Sequence, residues 1–160
     1  MVAKKTKANP QQKAVAKSKV APKSKTKSWE EKYNTRKEIE VKRLEKAFAD
    51  IAKDANMLIA TPQVFEDYLK KIPEGKSKTI KEVRTDLAKR FKADATCPLT
   101  TGIFLRIVAE ANFEKLNKGE TVEKIAPFWR VIEPNSSLAK KLSFGQEFLT
   151  LMRKKEGILN

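Results

Sequence analysis

Few side chains in this chain can carry covalent or acid–base chemistry. It contains one cysteine, Cys97, and no histidine. Every His-based triad and His general base is therefore excluded, and a single cysteine cannot assemble a zinc site. We expect neither a metal nor a cofactor. Cys97 directly precedes Pro98 at the start of a predicted helix, a position that favours the thiolate form of a cysteine.

Two interpretations of Cys97 are open. As a reactive thiol, it would make this chain a Cys97-dependent enzyme. However, no histidine is present to act as its base, and the surrounding sequence is apolar. These features favour a small buried core residue, which we predict. A single cysteine also excludes an intramolecular disulfide and fits a reducing compartment.

The charge of the chain is concentrated at its start. The net charge is +15, and the first 28 residues contain no acid and nine lysines: Lys4, Lys5, Lys7, Lys13, Lys17, Lys19, Lys23, Lys25 and Lys27. With almost no large apolar side chain, this segment cannot offset its ordering entropy, so we predict a disordered tail. As a polycation it would bind nucleic acid by counterion release. A solubilising tail or a targeting segment is the alternative.

Hydropathy argues against a membrane protein. No apolar run approaches the roughly 20 residues that span a bilayer, and the N-terminus lacks the apolar core of a secretory signal. We therefore predict an intracellular protein, cytoplasmic or nucleoid-associated, or nuclear if the source is eukaryotic.

The secondary-structure elements that position the candidate functional residues begin after the tail. Ser28 can cap a helix that starts at Trp29, with Glu30 and Glu31 in its first turn. Residues 38–56 are ambiguous: Ile39 and Val41 alternate as in a strand, whereas a second set repeats at helical spacing, namely Leu44, Phe48, Ile51 and Ala55. We interpret residues 29–56 as a short helix and linker.

The predicted folded domain covers residues 57–160. Thr61-Pro62 is an N-cap followed by proline at the first helical position, and the helix ends at Lys70-Lys71. Thr79 to Glu82 has the pattern of a capping box. The helix that follows is joined by a short turn to another that runs from Thr96 to about Leu116. This pair is a candidate helix-turn-helix.

The second helix of this pair is the candidate reader of nucleic acid. Thr100, Thr101 and Arg106 are predicted to face outward and contact phosphates or base edges. The alternative is an exposed face of a structural helix. Gly102 costs about 1 kcal/mol in a helix interior, so we expect it to serve close packing or the approach of a ligand. Lys76 and Lys78 could hold the phosphate backbone or belong to a solvated face.

The C-terminal part adds two elements. Residues 125–132 (IAPFWRVI) are rich in β-favouring residues, which predicts a small β element near Pro127 to Ile132. Ser143 to Gln146 has the pattern of a capping box that opens a last helix, with Gly157 as its stop. The fold class is therefore mainly α.

Three strings in this order, IPEGKSKT, APFWRVI and KKEG, resemble the DNA-binding domain of alkylguanine-DNA alkyltransferases. The resemblance covers about Thr61 to Ile158. That family flips an alkylated guanine out of DNA and moves the alkyl group to a cysteine. The resemblance implies a winged-helix-like domain, and it adds Arg130 to the candidate nucleic-acid contacts. Pro127, Val131, Gly102 and Glu156 also match the family pattern.

The departures from the family pattern remove its chemistry. Phe128 stands at the acceptor cysteine, Trp129 at the adjacent histidine and Ile80 at the tyrosine of a Thr-Tyr pair. Leu99 falls near the arginine that family members push into the base stack. Because a phenyl ring cannot accept an alkyl group by displacement, we expect no enzyme. The resemblance then favours the non-catalytic alkyltransferase-like proteins, which bind alkylated DNA.

Together these observations predict a non-catalytic nucleic-acid-binding protein, with a possible link to DNA repair or damage sensing. The predicted partner is duplex DNA, either alkylated or unmodified, and RNA is an alternative partner. The candidate pocket comprises Phe128, Trp129, Ile80 and Glu156. Its aromatic rings would stack a flipped base, or would fill a core hollow. The alternative function is a protein-interaction module in which the pocket around Phe128 and Trp129 docks a partner peptide.

Overall fold

The computed structural model describes residues 26–158, so most of the predicted Lys-rich tail lies outside the described residues. Within them the chain is mainly helical, as predicted, with a small three-stranded sheet. The elements in chain order are helix α1 (Trp29–Thr35), strands β1 (Glu40–Arg43) and β2 (Asn56–Ile59), helices α2 (Pro62–Lys70) and α3 (Ile80–Arg90), strand β3 (Ala95–Thr96), and helices α4 (Pro98–Asn117), α5 (Ser137–Lys140) and α6 (Glu147–Glu156).

Helix α4 is the centre of the main hydrophobic core. Its inner side chains Leu105 and Val108 are fully buried and share the core cluster with Phe65 and Leu69 of α2 and Leu87 of α3. Each such side chain stabilises the fold by about 1.5–3 kcal/mol relative to exposure. Over residues 26–158, none of the helices has the length and apolarity that a membrane crossing demands.

For residues 38–56 the sequence did not decide between helix and strand. In the structure they belong to a β-hairpin whose strands are β1 and β2. β1 pairs antiparallel with β2, with Val41 opposite Leu58. The positive φ angles of Ala49 (54°) and Asp54 (69°) are incompatible with a continuous helix, so the helical spacing of Leu44 to Ala55 is misleading. β2 also pairs in parallel with β3, and a domain boundary at residue 57 therefore cuts through strand β2.

The helix starts that the sequence predicted from caps are confirmed for α1, α2 and α3. The Thr61 hydroxyl accepts a hydrogen bond from the Val64 N–H at 3.3 Å, with Pro62 at the first helical position. Thr79 and Glu82 form both bonds of the capping box, at 2.9 and 3.1 Å. Without these side chains, the backbone N–H groups at the helix starts would have no hydrogen-bond partner.

Two predictions for the C-terminal part are wrong. Residues 127–132 form no strand: Phe128 to Arg130 is a 3₁₀ turn, which directs the consecutive side chains of Phe128 and Trp129 into the core, where a strand would alternate them. Ser143 caps no helix either, because its N–H and hydroxyl both donate to Glu110, at 2.7 and 2.6 Å. Helix α6 ends at Gly157 in the left-handed region (φ 74°), as predicted.

Helix α1 is attached to the rest of the fold through a buried carboxylate. Glu66 of α2 is 6% exposed and accepts hydrogen bonds from the Tyr33 hydroxyl of α1 and from Asn112 Nδ2 of α4 at 3.0 Å. Lys115 Nζ lies 3.9 Å from the same carboxylate. Burial and the contact with Glu66 raise the pKa of the Tyr33 hydroxyl, which therefore stays protonated and donates.

Tyr33→Phe is expected to lower the free energy of unfolding by about 1.5–3 kcal/mol, because it removes a hydrogen bond to a buried charged group. Urea denaturation followed by tryptophan fluorescence measures the loss. Tyr68→Phe is the matched control, since the Tyr68 hydroxyl donates to Asp86 at 2.5 Å and that carboxylate is 39% exposed. An equal loss in both variants would contradict a special role for the buried Glu66.

Candidate functional site

The first turns of α4 expose an apolar surface. Leu99 and Ile103, four residues apart, are 60% and 46% exposed, two of the six exposed large apolar side chains among residues 26–158. Residues spaced by four lie on one helix face. Apart from its chain neighbours and the backbone of its own helix, Gly102 has no atom within 4 Å of where a Cβ would stand, so of its two predicted roles close packing is wrong and the approach of a ligand stays a prediction. We call Leu99, Gly102 and Ile103 the exposed α4 face.

The predicted polar contacts of α4 lie elsewhere. Thr101 is fully buried and its hydroxyl donates to the Cys97 carbonyl at 2.7 Å, so its predicted outward position is wrong. The reason is the helical period, which puts Thr101 on the same stripe as Leu105 and Val108. Thr100 is half-buried, but its hydroxyl oxygen is buried and has no hydrogen-bond partner among residues 26–158, so the outward contact predicted for this hydroxyl is also wrong.

Arg106 faces helix α1. Its guanidinium carbon lies 5.2 Å from the centre of the Trp29 ring, and its Nε lies 3.8 Å from Glu110 Oε2. The Arg106 side chain is 37% exposed. The cation–π contact is worth about 0.5–1 kcal/mol at such a site. Arg106 therefore joins α1 to α4 and keeps only part of its surface for an outside ligand.

Arg130 is not an outward contact either, and its predicted role as one is wrong. Its side chain is 13% exposed and forms two parallel hydrogen bonds with Glu156, Nε to Oε1 and Nη2 to Oε2, both at 2.8 Å. Its Nη1 donates to the Ile72 carbonyl at 2.5 Å. This bidentate geometry is the strongest form of an arginine–carboxylate pair.

Glu156 connects three separate segments. Besides Arg130, it accepts from Trp129 Nε1 at 2.8 Å and from the Gly75 N–H at 3.0 Å. Burial raises the pKa of this carboxyl, but hydrogen bonds from Arg130, Gly75 and Trp129 lower it further, so the pKa lies below its usual value. Glu156 thus holds the Ile-Pro-Glu-Gly turn and the 3₁₀ turn against the end of α6.

The two rings predicted to stack a flipped base are buried in the core. Phe128 is fully buried within an aromatic cluster, with ring centres 5.3 Å from Trp129, 5.7 Å from Phe144 and 5.8 Å from Phe148. Trp129 is 2% exposed. The core-filling interpretation of these two rings is therefore correct. Neither a flipped base nor a partner peptide could reach the buried Phe128 ring.

Three of the predicted residues do meet at a surface cleft of about 690 Å³. Trp129, Arg130 and Glu156 line it, whereas Phe128 and Ile80 do not. Three lysines and two glutamates also surround the cleft: Lys70, Lys124, Lys155, Glu74 and Glu123. The polar atoms of Trp129, Arg130 and Glu156 are engaged with one another, so hydrogen bonds to a ligand in this cleft would come from the surrounding exposed lysines and glutamates.

The remaining predicted residues are surface lysines and the cysteine. Lys76 is exposed, and Lys78 Nζ lies 3.4 Å from Asp86 Oδ2 in a half-exposed pair. Such pairs are worth at most about 1 kcal/mol, so both lysines stay available to an anion. Cys97 is 3% exposed and caps α4, which confirms it as a buried core residue. No cluster of three or more metal-ligating side chains occurs within residues 26–158.

One surface went unnoticed in the sequence. The hairpin and the start of α4 enclose a groove of about 440 Å³, formed by Lys42 to Phe48, Met57 and Cys97. Three of the charged side chains along it are cations, Lys42, Arg43 and Lys46, and one is an acid, Glu45. The cations near Phe48 are visible in the sequence, but they could not be placed on one surface because the secondary structure of residues 38–56 was ambiguous. We call it the hairpin groove.

Neither a known protein family, nor a curated protein, nor a solved structure matches this chain. The similarity to alkylguanine-DNA alkyltransferases therefore stays a prediction that depends on the motifs alone.

Proposed function

We propose that this chain is a non-catalytic nucleic-acid-binding protein with a winged-helix-like domain. The observation that carries the proposal is charge: nine lysines and no acid in the first 28 residues, within a net charge of +15. Such a segment binds phosphates by counterion release. No catalytic step is proposed, because Phe128, at the position of the acceptor cysteine, bears no nucleophilic atom.

The position at which the Lys-rich segment joins the domain supports this function. Ser28 caps α1, and Trp29 at the start of α1 contacts Arg106 on α4. The lysines therefore precede a helix that packs along α4. Cations that begin next to α4 would raise the local concentration of DNA at the exposed α4 face.

The arrangement of α3, β3 and α4 fits a helix-turn-helix unit. Arg84 of α3 donates to the Thr96 carbonyl at 2.9 Å and the Thr96 hydroxyl donates to the Arg84 carbonyl at 2.7 Å, which fixes the turn between the helices. We propose that α4 enters the major groove of duplex DNA. Leu99 and Ile103 would contact thymine methyl groups there.

The test is the salt dependence of DNA binding, measured by fluorescence anisotropy on a duplex. For the full chain, affinity is expected to fall about 10³-fold or more between about 50 and 200 mM salt, as for six or more phosphate contacts. A chain lacking residues 1–25 should show a much shallower dependence. Circular dichroism checks that the shortened chain keeps its helices. Absence of binding by the full chain at low salt would refute the proposal.

Lesion recognition is tested by matched duplexes with and without an alkylguanine. Phe128 is buried and Arg130 is paired to Glu156, so neither the ring nor the cation expected to hold a flipped base is free to do so. We therefore expect the two duplexes to bind with equal affinity. Preferential binding of the alkylated duplex would mean that the aromatic cluster opens in the complex.

A further inference from the structure

The hairpin groove holds an exposed aromatic ring on a rigid turn. Phe48 is 39% exposed, whereas Ile51, its partner in an isolated β-bridge, is 5% exposed. The two residues exchange backbone hydrogen bonds of 2.9 and 2.8 Å. Ile51 anchors the turn in a small core with Leu44, Met57 and Cys97. The Phe48 ring is thereby kept outward, with little conformational entropy to lose on binding.

The cations of the groove are available to a ligand. Lys42 and Lys46 are exposed and form no ion pair within the part of the chain that the structure describes. Arg43 is paired to Asp54 at 3.2 Å, but both side chains are more than half exposed, so a phosphate can compete for the guanidinium. The groove therefore combines an apolar floor, one exposed ring and an excess of positive charge.

We propose that the hairpin groove binds a single nucleic-acid strand, with one base stacked on Phe48 and the adjoining phosphates on Lys42 and Lys46. A basic groove with an exposed aromatic ring is the usual design for binding unpaired strands without sequence preference. A stacking face suits an unpaired base, because bases in a duplex are already stacked on their neighbours. This inference rests on the proposed nucleic-acid-binding function and adds the form of ligand that the hairpin recognises.

The experiment uses the full chain and a short thymidine oligonucleotide, with a uridine oligonucleotide as the RNA arm. Phe48→Ala is expected to weaken binding about 5- to 150-fold, the range for loss of one stacked base, without changing the salt dependence. Phe48→Tyr, which keeps the ring, should retain the affinity. Leu151→Ala, at another exposed apolar residue, is the control and should have no effect.

An abasic strand of equal length separates stacking from charge. It should bind the full chain and Phe48→Ala with equal affinity, because only a base can use the ring. The Lys42→Gln/Lys46→Gln double variant should lower the salt slope by about 1.4 on either strand, the value for two single-strand phosphate contacts. The matched control is Lys53→Gln/Lys140→Gln, at two exposed lysines outside the groove.

The outcomes distinguish the two proposals. If the full chain binds neither the duplex nor a single strand at low salt, the proposed function fails and this inference fails with it; binding of the duplex alone overturns only the hairpin groove. If the full chain binds but Phe48→Ala behaves like Leu151→Ala, only the hairpin groove is overturned. A third outcome would also overturn the hairpin groove as a nucleic-acid site. If Phe48→Ala loses binding to anionic lipid vesicles but keeps its oligonucleotide binding, the groove binds a membrane surface instead.

Discussion

Phe128→Ala is expected to lower the free energy of unfolding by about 3–5 kcal/mol, the usual cost of truncating a buried phenylalanine. The Phe128 ring is fully buried and contacts Trp129, Phe144 and Phe148. Removing it leaves a cavity whose walls belong to the 3₁₀ turn and to the approach to α6. These segments are held by other contacts, which limits how far they can collapse into the space.

Equilibrium denaturation in urea, followed by tryptophan fluorescence, measures this loss. Phe128→Leu keeps an apolar side chain of comparable size and should cost much less. Leu151→Ala, at a residue 53% exposed, controls for the effect of truncating an apolar side chain on the surface. A loss below about 1 kcal/mol would mean that Phe128 lines an open pocket, contrary to its burial.

The helices were predictable because their signals are local. Thr61 with Pro62, Thr79 with Glu82, and Gly157 each act within four residues, and each ends or begins a helix where the sequence predicted. Caps bond the backbone of their own helix, so no knowledge of the tertiary fold is needed to interpret them.

The sheet was not predictable in this way because its pairings are distant. β1 and β2 are joined through a turn of 12 residues with two residues at positive φ, and β2 pairs with β3 across α2 and α3. The apolar string of residues 125–132 suggested a strand for a similar reason. β-branched and aromatic residues are favoured wherever side chains are buried, and not only in strands. A 3₁₀ turn buries Phe128 and Trp129 here without any strand.

The candidate site depended on partners that the sequence does not reveal. Arg130 looks like a free cation in sequence, but Glu156, 26 residues later, takes two of its hydrogen bonds. Thr101 was assigned to the outer face by its polarity, although the helical period places it inside, where the Cys97 carbonyl satisfies its hydroxyl. Polarity therefore misassigned Thr101, and the family resemblance misassigned Arg130.

Glu156→Gln is expected to lower the free energy of unfolding by about 3–5 kcal/mol at neutral pH, because it leaves the largely buried Arg130 guanidinium without its counter-charge. The amide can accept one of the hydrogen bonds but cannot reproduce the bidentate pair. Glu123→Gln is the matched control: Glu123 lies on the same cleft but is exposed, and its neutralisation should cost little.

The same variant tests the pH dependence of stability. The pKa of Glu156 is lower in the folded protein than in the unfolded chain, where a glutamate titrates near about pH 4.3. The unfolded state therefore takes up a proton first as pH falls, so the contribution of Glu156 is full above that pH and is lost through the folded pKa. The difference in stability between the native chain and Glu156→Gln should shrink as pH is lowered below about 4.3. A difference that stays constant down to acid unfolding would mean that Glu156 contributes packing and not charge.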